Sequence, residues 1–298
     1  MIQEDLQRRI KTTTDLQEIV KTMKMLSSVS VSQYEKALNS LMQYGKTLQE
    51  AFHGLFAQSF FTYMPPIIKT TNPKILAIVI GSDNGLVGRF NKEVLNYVKT
   101  TCDELGATQN QVRIIAVGKR IALLTPNMDF KLVSSYPVSN SIKEIAPLSS
   151  MILTKIDQET SSHHFDLVEI FYNKQQNFSF VPKKRQLMPL SYEDFSKLKK
   201  TPWEGKMIPL VTSSKEELFS ALLHEYFSVQ LTQAITSSLT AEHFTRMNHM
   251  QQAEKNIEEK LTELNLKYQQ VRQTQITDEL IDIVSGATAL NKKKLSTS

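Results

Sequence analysis

The sequence predicts a protein of the α/β class, with a long antiparallel coiled coil of the N- and C-terminal helices and an α/β domain inserted between them. Three observations support this prediction. Apolar residues recur at heptad spacing near both ends, only 9 Gly and 10 Pro interrupt the 298 residues, and the middle of the chain carries continuous apolar runs. Heptad spacing is typical of helices that pack lengthwise, whereas a short continuous apolar run is typical of a strand buried on both faces.

The N-terminal segment, from about residue 3 to residue 61, contains no Pro and only two Gly. Apolar or small residues recur there at alternating spacings of three and four, which predicts a helix packed along a partner helix. This stripe consists of Val31, Tyr34, Leu38, Leu41, Gly45, Leu48, Phe52 and Leu55. We expect the same face to continue upstream through Leu16, Ile19, Val20, Met23 and Leu26. A helix of about 55 residues would be about 80 Å long, and Pro65 and Pro66 would end it.

The central segment, residues 73–209, alternates apolar strands with helical stretches. Buried strands are predicted at 75–80 and 112–118, a weaker strand at 130–133, and helices at 88–104 and 141–159, with a further short helix after the second strand. Residues 166–172 and 178–187 predict a strand pair around a turn at Asn173. Strands that alternate with helices imply a mostly parallel sheet with helices on its faces, which is a Rossmann-like arrangement.

A glycine-containing loop, residues 81–88, follows the first strand and precedes a helix. A phosphate-binding turn occupies this position in many α/β proteins. The spacing of Gly81, Gly85 and Gly88 matches neither the dinucleotide pattern nor the P-loop pattern, and no Lys-Ser/Thr pair follows. The pattern therefore favours a tight turn with close helix–sheet packing, and phosphate binding is the alternative.

The C-terminal segment, residues 213–290, has no Pro, and its first Gly is Gly286. Ser213 or Ser214 is a suitable N-cap, followed by acidic residues in the first turn. A second stripe consists of Met247, Met250, Glu254, Ile257, Leu261, Leu264, Tyr268 and Val271. Such a helix could exceed about 100 Å, so a single domain cannot bury it, and the other terminal helix is its nearest partner. The predicted division is residues 1–62, 73–209 and 213–290, with a polar tail at 291–298.

Composition argues against several classes of function. The net charge of +5 is too small and too dispersed to indicate nucleic acid, and the basic cluster Lys183–Arg185 is interpreted as a solvated turn. Cys102 is the only cysteine, so no internal disulfide can form. His163 and His164 have no third ligand at a motif spacing, and we expect no metal and no cofactor. No run of about 18 apolar residues occurs and we expect no targeting segment, so membrane association would come only through partners.

Three stretches resemble the gamma subunit of F-type ATP synthases. The longest is residues 268–290, which resembles the family pattern Y-N-x-A-R-Q-x-x-I-T-x-E-[IL]-x-E-I-V-S-G-A-x-A-[LV]. Residues 6–26 are similar to the family's N-terminal R-R-I run, and residues 82–91 are similar to its S-D-x-G-L-C-G-x-x-N loop. The three stretches occur in the family's order and frame nearly the whole chain.

The resemblance implies a noncatalytic rotor. In the family, the coiled coil stands inside a hexamer of alternating alpha and beta subunits, and its foot rests on the membrane c-ring beside an epsilon-like subunit. Rotation of this shaft couples ion flow to ATP synthesis or hydrolysis. The expected location is the cytoplasmic face of a bacterial cell membrane, as a peripheral protein.

The resemblance also implies two sets of functional residues. Contacts with the alpha/beta hexamer are expected from Lys21, Met23, Lys24, Arg272, Gln273 and Thr277. An apolar bearing at the tip is expected from Ile281, Ile283, Val284, Ala287, Ala289 and Leu290. Without the resemblance, Met23 would be interpreted as a core residue, Arg272 and Gln273 as solvated positions, and Gly286 as a helix C-cap.

The chain departs from the family pattern at several positions. Val87 stands at the loop cysteine, and Ser27, Ser28 and Ser30 stand where the family is rich in Ala. These departures suggest a variant branch, for which a sodium-translocating F-type ATPase is one hypothesis. Two alternatives of other classes remain: a nucleotide-dependent α/β enzyme with helical arms, and a structural coiled-coil adaptor.

Overall fold

A computed structural model describes residues 2–57, 72–139, 141–190, 196 and 214–295, without the side chains of residues 2 and 287–295. The helix end expected at Pro65 and Pro66 lies outside the described residues. The chain divides into two compact units, one formed by Met1–Leu26 with Met247–Ser298 and the other by Ser27–Arg246. Both long terminal helices therefore contribute to each unit, whereas the predicted division assigned each helix to a domain of its own.

The described elements alternate between helices and strands over the middle of the chain. The helices are α1 (Ile2–Ala57), α2 (Phe90–Glu104), α3 (Lys119–Leu124), α4 (Ile142–Ser162) and α5 (Lys215–Leu295). The strands are β1 (Ile75–Ile80), β2 (Val112–Val117), β3 (Lys131–Tyr136), β4 (Leu167–Gln176) and β5 (Ser179–Met188). Short 3-10 turns occur at Gln109–Gln111 and Pro126–Met128.

The unit Ser27–Arg246 is built on one five-stranded sheet in the order β3-β2-β1-β4-β5. The first four strands in this order are parallel, and β5 pairs antiparallel with β4 at the edge. All six residues of β1 are buried, as its continuous apolar run predicts for a central strand. The prediction of a mostly parallel, Rossmann-like sheet between two long terminal helices is confirmed.

The two faces of the sheet have separate cores. On one face, the even-numbered residues of β1 pack with side chains from α1, α4 and α5. On the other face, the odd-numbered residues of β1 pack with side chains from α2 and α3. Successive side chains of a strand point to opposite faces, so one apolar strand serves both cores.

Within this unit, α1 and α5 pack antiparallel. The Tyr34 ring stacks on His243 with a centroid separation of 5.5 Å, and the Gln233 amide donates to the Leu41 carbonyl at 3.1 Å. Further along, Phe52 meets Phe219 edge to face at 6.2 Å. The α1 residue numbers rise as those of α5 fall, which is the predicted antiparallel arrangement.

Two local predictions in the sheet region are wrong. The hairpin turn lies at residues 177–178, where Asn177 has a φ of 52°, and Asn173 is buried within β4 with its amide donating to the Phe90 carbonyl at 2.9 Å. Asn suits both a turn and a buried amide contact, so the residue type alone did not show whether the turn lies at Asn173 or at Asn177. The Lys183–Arg185 cluster lies in β5 instead of a turn: Lys184 pairs with Glu169, and Arg185 donates to Gln230 of α5.

The two ends of α5 differ in how well they were predicted. The Ser214 hydroxyl accepts the Glu217 amide at 3.3 Å, as expected for an N-cap. At the other end, the helix continues through Gly286 to Leu295, so the interpretation of Gly286 as a C-cap is wrong. The segment after Gly286 contains no Pro and several good helix formers, including the lysines at 292–294, which permits the helix to continue.

Candidate functional site

The unit formed by Met1–Leu26 and Met247–Ser298 contains a seam between α1 and α5. Met250 and Leu264 of the predicted α5 stripe are buried, and the other members of the stripe are partly buried. Two polar contacts set the register: the Lys24 ammonium donates to the Glu254 carboxylate, and the Gln3 amide donates to the Tyr268 hydroxyl at 3.3 Å. A charged pair within an apolar seam specifies register, because a shift along the seam would separate its members.

The face expected upstream on α1 is wrong at three positions. Leu16, Ile19 and Leu26 are 49%, 55% and 64% exposed. The partly buried side of α1 instead includes Leu6, Ile10, Thr13, Gln17 and Val20. Adjacent positions such as 16 and 17 lie about 100° apart on a helix, so a mixed sequence offers two overlapping stripes and only packing selects one.

The hexamer-contact residues predicted on α1 occupy three different settings. Lys21 is exposed, and Met23 is partly buried. The Lys24 side chain is 31% exposed and its ammonium group is engaged by Glu254, whose own side chain is 16% exposed. Of the three, only Lys21 is exposed.

The terminal section of α5, defined as residues 272–286, lies beyond the seam. Every residue in this section is exposed, including the predicted contact residues Arg272, Gln273 and Thr277. The Thr277 hydroxyl donates to the Gln273 carbonyl of the preceding turn at 2.9 Å. Val271 is the last partly buried residue of the stripe, so the predicted residues lie in the exposed section that follows it.

The apolar residues of the terminal section share one side of the helix. Ile281, Ile283 and Val284 of the predicted bearing are 57%, 67% and 61% exposed. Ile276 and Leu280, which the sequence interpretation missed, are 47% and 57% exposed. Leu280 lies three and four residues before Ile283 and Val284, and Ile276 lies four before Leu280, which was the available signal. The side chains of Ala287, Ala289 and Leu290 lie outside the described residues. We call this side, with Arg272, Gln273 and Thr277, the apolar half.

The opposite side of the terminal section is polar and acidic. It carries Thr274, Gln275, Asp278, Glu279, Asp282 and Ser285. At about 100° per residue these positions fall on the same angular sector as the seam residues upstream, whereas the apolar half faces away from that sector. The terminal section is therefore two-sided.

The 81–88 loop is a packed turn, as predicted. A Cβ on Gly81 would lie 2.4 Å from Asn91 Oδ1 and 2.6 Å from Ile121 Cδ1, so no larger residue fits. The Asn91 carboxamide accepts from the Ser82 amide and donates to the Ser82 hydroxyl, both at 2.9 Å. These contacts use the polar groups with which a phosphate-binding turn would hold its ligand.

A carboxylate accepts two further backbone amides at this edge of the sheet. Asp83 Oδ1 accepts the Lys119 amide at 2.8 Å and the Val138 amide at 3.1 Å. A fixed negative charge at this position repels an anion. The geometry argues against a nucleotide phosphate in this loop.

The loop also packs against α5. Val87, at the position of the family cysteine, is buried with Phe90 and Ala241, and Phe180 of β5 covers them. The Val87 side chain therefore serves to pack the loop against α5. Among the described residues, no cluster of three or more His, Cys, Asp or Glu side chains has a metal-binding arrangement. No helix in the described ranges combines the length and apolar character that crossing a membrane requires.

Comparison with known proteins gives matches over nearly the whole chain. The model of a family described as ATP synthase matches residues 3–290. The ATP synthase gamma chain of Staphylococcus carnosus is 27% identical over 291 residues, which cover 96% of this chain and 98% of the relative. The gamma chain of Ruminococcus albus is 26% identical over 287 residues, covering 95% and 96%.

Solved structures show the same fold. The rotor of the Euglena gracilis mitochondrial ATP synthase matches with a TM-score of 0.62 at 16% identity, covering 92% of this chain and 99% of that chain. A chain of the central stalk and c-ring structure of the Tetrahymena thermophila enzyme matches with a TM-score of 0.54 at 22% identity, covering 79% and 99%. At these identities the likeness concerns the fold.

Proposed function

Because the chain belongs to the ATP synthase family, we propose that it is the gamma subunit, the central rotor shaft of an F-type ATP synthase, and that it catalyses no reaction by itself. The observation that carries this proposal is the family match over residues 3–290. The antiparallel helix pair, whose α5 member continues past the seam with every described side chain exposed, supports it. An adaptor would have no need of this C-terminal end sequence.

The 81–88 loop supports the noncatalytic part of the proposal. The Ser82 amide of the loop donates to Asn91, the Asp83 carboxylate accepts the Lys119 and Val138 amides, and Gly81 has no room for a side chain. An enzyme that used this loop for nucleotide would need those donors for the phosphates. The nucleotide-dependent alternative therefore lacks a site at the position where the sequence suggested one.

The proposed partners are those of a rotary machine. Alpha and beta subunits would surround the terminal section of α5, and an epsilon-like subunit and the membrane c-ring would bind the opposite end of the shaft. The chain would then lie at the cytoplasmic face of a bacterial cell membrane, held there by its partners. Sodium as the coupling ion, suggested by the variant loop and serine positions, remains a prediction.

The exposed residues of the terminal section would form the contacts. Arg272, Gln273 and Thr277 present polar groups that can make orientation-dependent hydrogen bonds with the hexamer, and Lys21 presents a cation on α1. Met23 and Lys24 would act from inside the seam, because Lys24 is engaged by Glu254. The Lys24–Glu254 ion pair would orient the α1 side of the shaft.

The apolar half would form the bearing. Apolar side chains interact without directional bonds, so a surface made of them can turn inside a sleeve without passing through strong ion-pair minima. The acidic half on the other side makes the shaft asymmetric. Each catalytic subunit would then meet a different face as the shaft turns.

Co-expression with alpha- and beta-like subunits tests the proposal. We expect the chain to co-purify with them, the complex to hydrolyse ATP, and the isolated chain to show no turnover. Rotation can be observed through a bead attached at Leu123→Cys, because Leu123 is 70% exposed while the native Cys102 is only 2% exposed. ATP turnover by the isolated chain, abolished by a substitution within it, would contradict the shaft function.

Deletion of residues 280–298 provides a second test. We expect the truncated chain to keep its α/β unit folded and to assemble poorly or transmit torque poorly, because all the described apolar residues of the terminal section except Ile276 are removed. Circular dichroism of the isolated chain and ion pumping by the complex measure the two effects. Unchanged pumping by the truncated complex would count against the bearing.

A further inference from the structure

A buried ion pair lies on α5 at the 81–88 loop. The Arg246 and Glu242 side chains are 7% and 6% exposed, and Arg246 Nη2 lies 2.6 Å from Glu242 Oε1. Charged side chains are rarely buried to this extent, because both lose their hydration. The other described ion pairs with both members on α5, Lys260–Glu263 and Lys267–Glu263, are about half exposed.

The Arg246 guanidinium also reaches beyond its own helix. Nη2 donates to the Gly85 carbonyl of the loop at 3.5 Å, and Nη1 lies 3.5 Å from Nδ1 of His243. His243 in turn stacks on Tyr34 of α1. One guanidinium therefore joins α5 to the loop, in a place where α1 also packs.

The loop around Gly85 has a demanding backbone. Leu86 has a φ of 63° and Gly88 a φ of 57°, both in the left-handed region. A non-glycine residue keeps this conformation only where its surroundings hold it. The Gly85 carbonyl is bound from one side by Arg246, and Val87 is packed between Phe90 and Ala241.

We propose that Glu242, Arg246 and the Gly85 carbonyl form a latch that fixes the axial orientation of α5 against the 81–88 loop and passes torque from the helix to the α/β unit. The proposal rests on the proposed rotor function. Glu242 holds the guanidinium in place, and Arg246 is the positioning residue for the loop.

The geometry makes this contact sensitive to rotation of the helix. An arginine guanidinium extends to about 8 Å from the helix axis, so a turn of about 20° about that axis displaces it by about 3 Å. That displacement breaks a contact of 3.5 Å to the loop but leaves the pair with Glu242 intact, because both residues turn together. The pair within the helix and the contact with the loop can thus be separated by experiment.

The exchanged double variant Glu242→Arg/Arg246→Glu separates them. It keeps an ion pair at the same spacing and moves the guanidinium one turn away from Gly85. Arg246→Lys is the second variant, because a point-charge ammonium cannot bind Glu242 and the loop carbonyl in the same forked geometry. The matched control is Glu263→Gln, which removes two exposed ion pairs from the same helix.

Two measurements are made on each chain. Hydrogen exchange of peptides covering residues 81–91 is measured on the isolated chain. Ions pumped per ATP hydrolysed are measured on the complex reconstituted in vesicles. We expect both latch variants to exchange several-fold faster in the loop and to pump several-fold fewer ions per ATP, with hydrolysis retained, while the control matches the wild type.

The results distinguish the latch from the rotor function. Wild-type exchange and pumping by the exchanged variant would show that only the ion pair matters and would overturn the latch. A loosened loop with normal pumping would also overturn it. Failure of the wild-type chain itself to assemble or pump would instead contradict the proposed function.

Discussion

Glu242 is buried and its neighbour His243 is partly buried, and the ionisation of these two groups should change stability in opposite directions. Burial raises the pKa of Glu242 from 4.5 to about 7, against the opposing effect of Arg246 and with a further rise from Asp83. Burial lowers the pKa of His243 from 6.5 to about 4, and Arg246 lowers it further. The test is to replace each residue by a neutral one, with Glu242→Gln and His243→Asn.

The sign of the Glu242 effect follows from its raised pKa. Between pH 4.5 and about 7 the folded chain holds a proton that the unfolded chain has released. The stability that this group contributes is therefore fully present below pH 4.5 and is lost as the pH rises through about 7. A difference of about 2.5 pH units corresponds to about 3 kcal/mol.

The sign of the His243 effect is the reverse. Between pH 6.5 and about 4 the unfolded chain binds a proton that the folded chain does not. Its contribution is present above pH 6.5 and is lost as the pH falls through about 4, again by about 3 kcal/mol over the window. The two slopes nearly cancel between pH 4.5 and 6.5 in the wild-type chain.

Urea unfolding of the isolated chain at pH steps from 4 to 8 measures these slopes. Relative to the wild type, we expect Glu242→Gln to gain stability as the pH rises, and His243→Asn to lose it. The other titrating groups, such as Glu159, act alike in all three chains and drop out of the difference curves. Each substitution also adds a constant offset, for instance from leaving Arg246 without its carboxylate, so the slope is the diagnostic quantity.

Parallel pH profiles for the wild type and both variants would refute the reasoning. The same result would show that the carboxylate and the imidazole keep their ordinary pKa values in the folded chain. Slopes of equal sign in the two variants would refute it as well, since the burial of an acid and of a base must act in opposite directions.

Three further predictions concern single sites. Gly81→Ala should lower the free energy of unfolding by about 1–3 kcal/mol, because the added methyl group overpacks the turn. Gly286→Ala should raise the free energy of unfolding by up to about 1 kcal/mol, because the space around Gly286 is open and Ala favours a helix. Urea unfolding measures both changes. Ile283→Asp should weaken assembly with the hexamer without changing the melting temperature of the isolated chain, and Asp282→Asn on the acidic half serves as the control. Cys102, buried and with its pKa raised to about 12 by burial, should resist thiol reagents at pH 8 until the chain unfolds; rapid labelling of the folded chain would contradict its burial.

The sheet was predictable because its signals are local. A run such as Ile75–Ile80 has no polar face, so only a strand buried on both sides accommodates it. The hairpin position was not predictable in the same way, because Asn173 and Asn177 are equally suited to a turn. Pairing with β5 decided between them, and the buried amide of Asn173 serves the Phe90 carbonyl instead.

The seam shows a second limit of sequence patterns. Met250 and Leu264 were identified correctly because α5 there has a single apolar stripe. On α1 the region around residue 16 offers more than one stripe, and the packed side includes Thr13 and Gln17 while Leu16 is exposed. Helix propensity and apolar periodicity describe one helix at a time, whereas the packing of α1 against α5 decides which face of each helix is buried.

We propose that a partner subunit covers the exposed apolar half of α5. A helix without tertiary packing gains little from propensity alone, and the section beyond Val271 has no packed seam in the described structure. Ile276, Leu280 and Ile283 would nonetheless be poor choices for a solvated helix. A sleeve that covers one half of this section and leaves the acidic half in water would use both features, and it would hold a shaft that presents a different face to each subunit around it.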